Sequence, residues 1–431
     1  MDVLEYARAA RSTGPLCDAC LGRPVADRSF GLDNQARGRA LRTTLALADD
    51  EPYESADAEG CWVCDGVCAT FDAWAERVVD ALDGYEFATY QVGTRVPPLI
   101  EENERLLREE AGLEEDAGEP LKREVNREVG KRVGSQVDAA VDFERPDVQV
   151  LLDLDAETVD VQVNSAFVYG RYRKCERDIP QTEWPCNECN ATGTVAGDPC
   201  PGCDGTGYRY DESVEELTAP VVKDAMDGAD AVFHGAGRED IDARMLGTGR
   251  PFVIEVKEPR TRDVDAQRLQ ADVNGFADGR VEVEGLRLAT HDMVERVKEL
   301  AASKTYRMTV AFEETVEADA LTAALADLDG ATIEQRTPAR VAHRRGDIVR
   351  TREVYDIEGE MDDDTHATIE IHGEGGLYVK ELVSGDDGRT EPSLAGQLGT
   401  GAEVTALDVL AVEGEDEPFE DERYFRDTET T

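Results

Sequence analysis

Lysine is scarce in this chain: of 46 basic residues only eight are lysine, the rest arginine, and they face 95 aspartates and glutamates. The resulting net charge of -49 repels a polyanion unless salt screens it or arginine is concentrated locally. Excess acid with little lysine is the surface of a protein adapted to molar salt, where the Debye length falls to about 3 Å. The acidity therefore reports the solvent and not the ligand. A long apolar run is missing too. No stretch reaches the ~18 apolar residues of a membrane-spanning helix, and the N-terminal MDVLEYARAA lacks the basic region and apolar core of a secretion signal. A cytoplasmic protein with no membrane partner is expected. The five histidines show no His-Glu-x-x-His spacing, and Gly235-Ala-Gly237 and Gly373-Glu-Gly-Gly376 lack the strand, spacing and helix of a nucleotide fingerprint. That excludes a methyl-donor or ATP site, so no nucleotide cofactor is expected. With 40% hydrophobic residues, the chain can build real cores, which argues against a disordered acidic polymer and for two or three domains.

Cysteine, by contrast, is plentiful. Eight of the ten fall into four Cys-x-x-Cys pairs, which in a reducing compartment favours metal ligation over disulfides. Cys186-Asn-Glu-Cys189 is echoed fourteen residues later by Cys200-Pro-Gly-Cys203, and each pair is followed by a glycine, Gly193 and Gly207. Two such knuckles make one closed four-thiolate zinc site with no open position for substrate, so its role is structural. Cys17, Cys20, Cys61 and Cys64 could supply four thiolates to a second zinc. The long gap between them leaves two unrelated pairs, one redox-active, as the other reading. Cys68 and Cys175 read as inert thiols. Structural zinc, one or two ions, is the cofactor expected, with no organic cofactor.

The stretch Phe233 to Val256 organises the rest. Gly235 and Gly237 allow a tight polar loop in which Arg238 stands two residues before Asp240, placing a cation near a carboxylate. After Arg250-Pro251, apolar residues alternate as in a strand with one packed face. Ser303 to Val310 brings Tyr306 to the mouth of another apparent strand. Gly375 to Leu382 reads as a third, with Tyr378 and Lys380 on one side.

These segments, Gly-Arg-Glu-Asp, then Lys-Thr-Tyr, then Leu-Tyr-Val-Lys, resemble the pseudouridine synthases. The longer run GREDxDxRMLGxGRPF is similar to the archaeal and eukaryotic tRNA pseudouridine synthase family that carries a THUMP domain. The resemblance implies an α/β (α+β) fold: an N-terminal zinc-binding segment (1–70), a THUMP-like RNA-binding domain (71–174), a four-cysteine knuckle insert (175–211), a catalytic domain built on antiparallel sheet (212–412) and an acidic tail (413–431). The tail itself reads as solvated and poorly ordered.

The resemblance further implies isomerisation of uridines 54 and 55 in the tRNA TΨC loop, without a cofactor. Asp240 would attack C1' or take a sugar proton, Tyr306 would stack on the uracil, Tyr378 would line the pocket, and Lys380 would pair with Asp240. Asp242 is the other candidate carboxylate. For binding tRNA, Arg171, Arg173 and Lys174, interleaved with Tyr169 and Tyr172, suit phosphate contact and base stacking; the rival account is a basic strand end covering acidic neighbours. The densest basic cluster, Arg340, Arg344, Arg345, Arg350 and Arg352 on an expected hairpin turning at Gly346, is favoured as an RNA-backbone strip over an ion-paired hairpin. A monomer is expected. The alternatives are another THUMP-bearing tRNA-modifying enzyme, or a non-catalytic zinc-dependent RNA-binding or chaperone-like adaptor. The adaptor is suggested by cysteine repeats that look like those of J-domain co-chaperones.

Overall fold

The computed structural model describes residues 2–339 and 346–426. Arg340, Arg344 and Arg345 of the expected basic strip lie outside the described residues. The chain divides into two units, residues 1–164 and 165–431.

The first unit surrounds a small mixed sheet with helices. Strands β1 (Thr89–Arg95), β2 (Ala140–Val141), β3 (Val148–Asp153) and β4 (Thr158–Val163) lie in the order β2-β1-β3-β4, with β1 parallel to β2 and β3. Val148, Val150 and Leu152 alternate inward on β3 and are buried against Val125, Val129 and Val133 of helix Leu121–Gly134. At the base, the buried Arg23 guanidinium ties Glu104 (3.0 Å) to Glu124 (2.7 Å).

The second unit is a ten-stranded sheet. Strands β5 (Ala166–Lys174), β8 (Asp230–Gly235), β9 (Arg244–Lys257), β10 (Val281–Ala289), β11 (Ala302–Phe312), β12 (Thr332–Arg336), β13 (Val349–Met361), β14 (His366–Gly373), β15 (Thr390–Glu391) and β16 (Ala402–Gly414) run in the order β10-β5-β9-β16-β11-β14-β13-β12-β15, with β8 added along β9. All pairings are antiparallel except β9 with β16. Phe252, Val253, Ile254 and Val256 are fully buried because β9 is covered on both faces. β6 (Thr194–Val195) and β7 (Asp198–Pro199) form a separate two-stranded ribbon in the cysteine insert.

Three local expectations need correction. The segment 166–174, read as the end of the THUMP-like domain, is β5, hydrogen-bonded between β9 and the edge strand β10 of the larger sheet. The residues around Tyr378 do not form a strand. Glycines 373, 375 and 376 end β14, Leu377 closes a turn onto Glu374, and helix Val379–Ser384 follows. Tyr378 and Lys380 therefore lie about 200° apart around a helix end rather than on one strand face. The tail is not solvated as far as residue 426. Phe419 and Phe425 are buried, Glu420 accepts from Tyr169 and from Arg171, and Glu422 pairs with Arg287. Two phenylalanines among the acids supply enough apolar surface to dock the segment.

Candidate active site and metal centres

The loop between β8 and β9 carries Arg238, Glu239, Asp240 and Asp242, and a buried network fixes it from below. Glu239 lies 2.9 Å from Arg250 of β9 and accepts from the Tyr172 hydroxyl of β5 at 2.9 Å. Arg250 also donates to the carbonyl of Ala236, and Gln181 to that of Gly237. Lys174, with no exposed surface, donates to the carbonyls of Ile179 (2.7 Å), Ile241 (3.1 Å) and Asp240 (3.4 Å) and sits 3.9 Å from Glu239. Burial lowers the Lys174 ammonium, and Glu239 opposes that shift. Gly237 takes a φ of +69°, which an L side chain adopts only under strain.

Above this base, Lys380 at the start of its helix reaches both carboxylates, Asp240 at 3.1 Å and Asp242 at 3.2 Å. Asp240 is the less exposed, 43% against 65%. The three line a cleft of about 620 Å³ with Arg238, Trp184 and Tyr210. Arg238 is exposed and pairs with no carboxylate among the described residues. Tyr306 is not on the cleft wall, but it lies within electrostatic reach of Asp240. Burial pushes its phenol up to about 12, Arg250 opposing and Asp240 adding to the shift. A bulge between Thr305 and Tyr306 in the β11–β16 pairing sets the direction of this side chain. Tyr378 is anchored through its backbone N–H, which donates to Gln335 at 2.9 Å.

The expected phosphate contacts fare unevenly. Lys174 is corrected: an ammonium with no exposed surface cannot reach a phosphate, and it holds the loop instead. Arg171 is corrected likewise, being 12% exposed and held by Glu413 (3.0 Å) and Glu420 (2.7 Å). Arg173 is partly exposed and meets Glu282 and Glu284, both at 3.1 Å. This is the rival account, a basic strand end covering acidic neighbours. On β13, Arg350 donates to the Thr337 hydroxyl, and Arg352 lies 3.3 Å from Glu374. Tyr169 and Tyr172, read as stacking residues, are buried and bond Glu420 and Glu239; of the other positioning residues, Glu239, Arg250 and Gln181 escaped sequence reasoning. The signal for Arg250 is a charge inside β9, directly before its apolar run 251–254.

The thiols form two clusters. A tetrahedral zinc with Zn–S bonds of about 2.3 Å holds its sulfurs about 3.8 Å apart. Cys186 and Cys200 are 3.9 Å apart and Cys189 and Cys203 3.7 Å, and all four sulfurs lie within 4.8 Å of one another. The repeated glycines make this possible: a Cβ at Gly193 would sit 2.3 Å from the carbonyl of Gly205, and one at Gly207 2.5 Å from that of Ala191. The donor set fits a structural zinc. In the first unit the mutually close set is Cys17, Cys20, Cys64 and Cys68, with Cys17 and Cys64 3.8 Å apart. Cys61, the expected fourth ligand, is buried beside them and within hydrogen-bond reach of Cys17, Cys20 and Cys64, so five thiols crowd one centre and Cys61 and Cys68 compete for its fourth corner. The left-handed turn at Asp65 and Gly66, followed by the short turn Val67–Ala69, brings Cys68 to the centre as well. The Arg23 guanidinium lies 3.2 Å from the Cys20 sulfur and offsets thiolate charge.

Two loop carboxylates sharing one lysine, with a buried tyrosine within electrostatic reach, on a mainly antiparallel sheet, are what a pseudouridine synthase is expected to show. The comparisons agree and narrow the class. The description "Pus10, C-terminal" matches residues 167–413, and "Pus10 THUMP domain, archaeal" matches residues 74–153. A protein of Halorubrum lacusprofundi named tRNA pseudouridine synthase Pus10 is 68% identical over 427 residues, spanning 99% of this chain and 100% of its own. Proteins with the same name are 42% identical in Methanothrix thermoacetophila, over 96% of this chain and 95% of theirs, and 38% identical in Pyrococcus furiosus, over 95% and 98%. The chain belongs to the Pus10 family. It is an isomerase, and its similarity to a halophile's protein accords with its acidic surface.

Proposed function

We propose that the protein isomerises uridine to pseudouridine in tRNA, at positions 54 and 55 of the TΨC loop, with Asp240 as the reacting carboxylate. The observation that carries this reading is the ion pair of Asp240 with Lys380 at 3.1 Å, at the wall of a cleft and within the electrostatic reach of Tyr306. The reaction breaks the bond from N1 to C1', turns the base in place and joins C5 to C1'; C5 gives up its proton and N1 takes one, so nothing is consumed. Whether Asp240 attacks C1' or takes a sugar proton, the step starts from an ionised carboxylate, and Lys380 supplies its counter-charge. The target uridine must leave its stack to reach Asp240, which a cleft with aromatic and cationic walls favours. A phenol held near 12 stays protonated at neutral pH, so Tyr306 acts as a ring surface and a hydroxyl donor.

Asp242 shares Lys380 and is the second candidate. The family position, two residues after Arg238, and the lower exposure favour Asp240. The test is pseudouridine mapping on unmodified tRNA transcript in high KCl with wild type, Asp240→Ala and Asp242→Ala. Loss of both modified positions in Asp240→Ala alone supports the reading, whereas an active Asp240→Ala overturns it. Both clusters support structural zinc, and neither offers an open coordination position to substrate.

A further inference from the structure

The cysteine insert is pinched shut at its base, and the pinch faces the reacting carboxylate. Pro185 bridges to Tyr208, the N–H of Arg209 donates to the carbonyl of Trp184 at 3.0 Å, and that of Cys186 donates to Gly207 at 2.8 Å. The residues entering and leaving this pinch, Trp184 and Tyr210, have ring centroids 5.6 Å apart at 41°. Both rings line the cleft that holds Asp240 and Lys380. Both are partly exposed, and neither spends its polar edge on a hydrogen bond among the described residues. The chain has only three tryptophans and 6% aromatics, and the rest of this cleft is largely charged. A cleft of about 620 Å³ has room beside the carboxylate for more than one base.

We propose that Trp184 and Tyr210 form a stacking platform for an unpaired base of the RNA substrate next to the uridine being isomerised. The four-cysteine centre is then a substrate-recognition element: its metal-tightened turns hold the two rings at a fixed place opposite Asp240. The inference rests on the proposed function for its substrate. The rings are tilted rather than stacked on each other, so a base can lie against either face without breaking a stack. Aromatic–base stacking tolerates any base, so the platform adds affinity and position more than sequence choice.

The test uses the full chain with unmodified tRNA transcript in molar KCl. Stacking of one base is worth about 1–3 kcal/mol, so Trp184→Ala is expected to weaken tRNA binding about 5- to 150-fold. Trp184→Phe, which keeps a ring, recovers most of that, and Tyr210→Leu shows a smaller loss. Zinc content measured on each variant keeps the test independent of folding: the proposal requires full metal loading alongside weakened binding. In an Asp240→Asn background, which binds without turnover, tRNA should quench a fluorescence component that Trp184→Phe lacks. Unchanged affinity in zinc-loaded Trp184→Ala, or quenching that persists in Trp184→Phe, overturns the proposal. Failure of the proposed function has a different signature: wild type makes no pseudouridine while Trp184-dependent quenching by tRNA remains.

Discussion

Lys174 separates two physical accounts of the strand that carries it. As a phosphate contact, its removal would weaken tRNA binding, flatten the salt dependence and leave the fold alone. As the structure has it, the ammonium is inaccessible and donates to three loop carbonyls beside Glu239. Lys174→Met keeps the stem's volume and deletes the donors. Glu239 retains Arg250 and Tyr172, so the carboxylate is not stranded, but the carbonyls of Ile179 and Ile241 lose their closest side-chain partner. Each buried group left unmade costs about 1–3 kcal/mol, which gives an expected destabilisation of about 2–4 kcal/mol. Because the freed loop carries Asp240, kcat should fall by at least about tenfold while KM for tRNA changes little. Urea unfolding in 2 M KCl reads the first quantity and single-turnover pseudouridine formation the second. A variant within about 0.5 kcal/mol of wild type, with the defect confined to KM, would refute the loop-anchor account.

The remaining predictions probe the metal, the titration and the backbone. Cys68→Ser should lose the first-unit zinc and Cys61→Ser should retain it, by metal analysis of the purified full chain; the opposite pattern would return Cys61 to the ligand set. Burial, with Arg250 beside it, holds Lys304 down at about 8. An unfolded lysine titrates near ~10.4, so between about pH 8 and 10 the unfolded state binds more protons and stability rises with pH. Allowing for partial exposure, wild type should gain about 1–2 kcal/mol more than Lys304→Met across that window, and equal gains would show that Lys304 is not desolvated. Gly237→Ala places a Cβ 3.5 Å from Arg250, an ordinary contact, so its cost is the left-handed backbone alone, about 1–2 kcal/mol; a neutral substitution in a thermal melt would mean that the loop relaxes.

What could be read from the sequence was what the chain encodes locally. The knuckle is legible because its four ligands, their spacing and the glycines that turn them fall within twenty-two residues. The Asp240 loop is legible because glycine, arginine and acid sit side by side. Lys174 was misread because two of its three carbonyl partners, Asp240 and Ile241, are sixty-six and sixty-seven residues away, and alternation along β5 reveals a face but not what covers it. Cys68 was discounted because a pairwise motif hides the turn that brings a fifth thiol to the same centre. The Tyr378 segment failed for a different reason: Leu-Tyr-Val-Lys-Glu-Leu satisfies both the strand and the helix period over so short a length, and the glycines before it decide the matter. The parallel β9–β16 pairing is a property of topology alone, with 164 residues between paired Arg244 and Asp408.

The scarcity of lysine turns out to be informative at the site itself. Three of the eight lysines, Lys174, Lys304 and Lys380, gather around the loop from Ala236 to Asp242. Arginine serves the acidic surface well, since its planar fork matches a single carboxylate, as Arg244 does with Asp408 at 2.6 and 3.0 Å. Arginine also reaches several acceptors, as Arg171 does with the carbonyls of Thr248, Gly249 and Val412 and with Glu413 and Glu420, but it spreads them around a wide planar fork. A compact ammonium with three rotatable donors gathers its acceptors at one atom. Lys174 does so with loop carbonyls and Lys380 with two carboxylates. Replacing Lys380 with arginine would favour a bidentate grip on one aspartate, so the lysine itself helps keep Asp240 and Asp242 together at the mouth of one cleft.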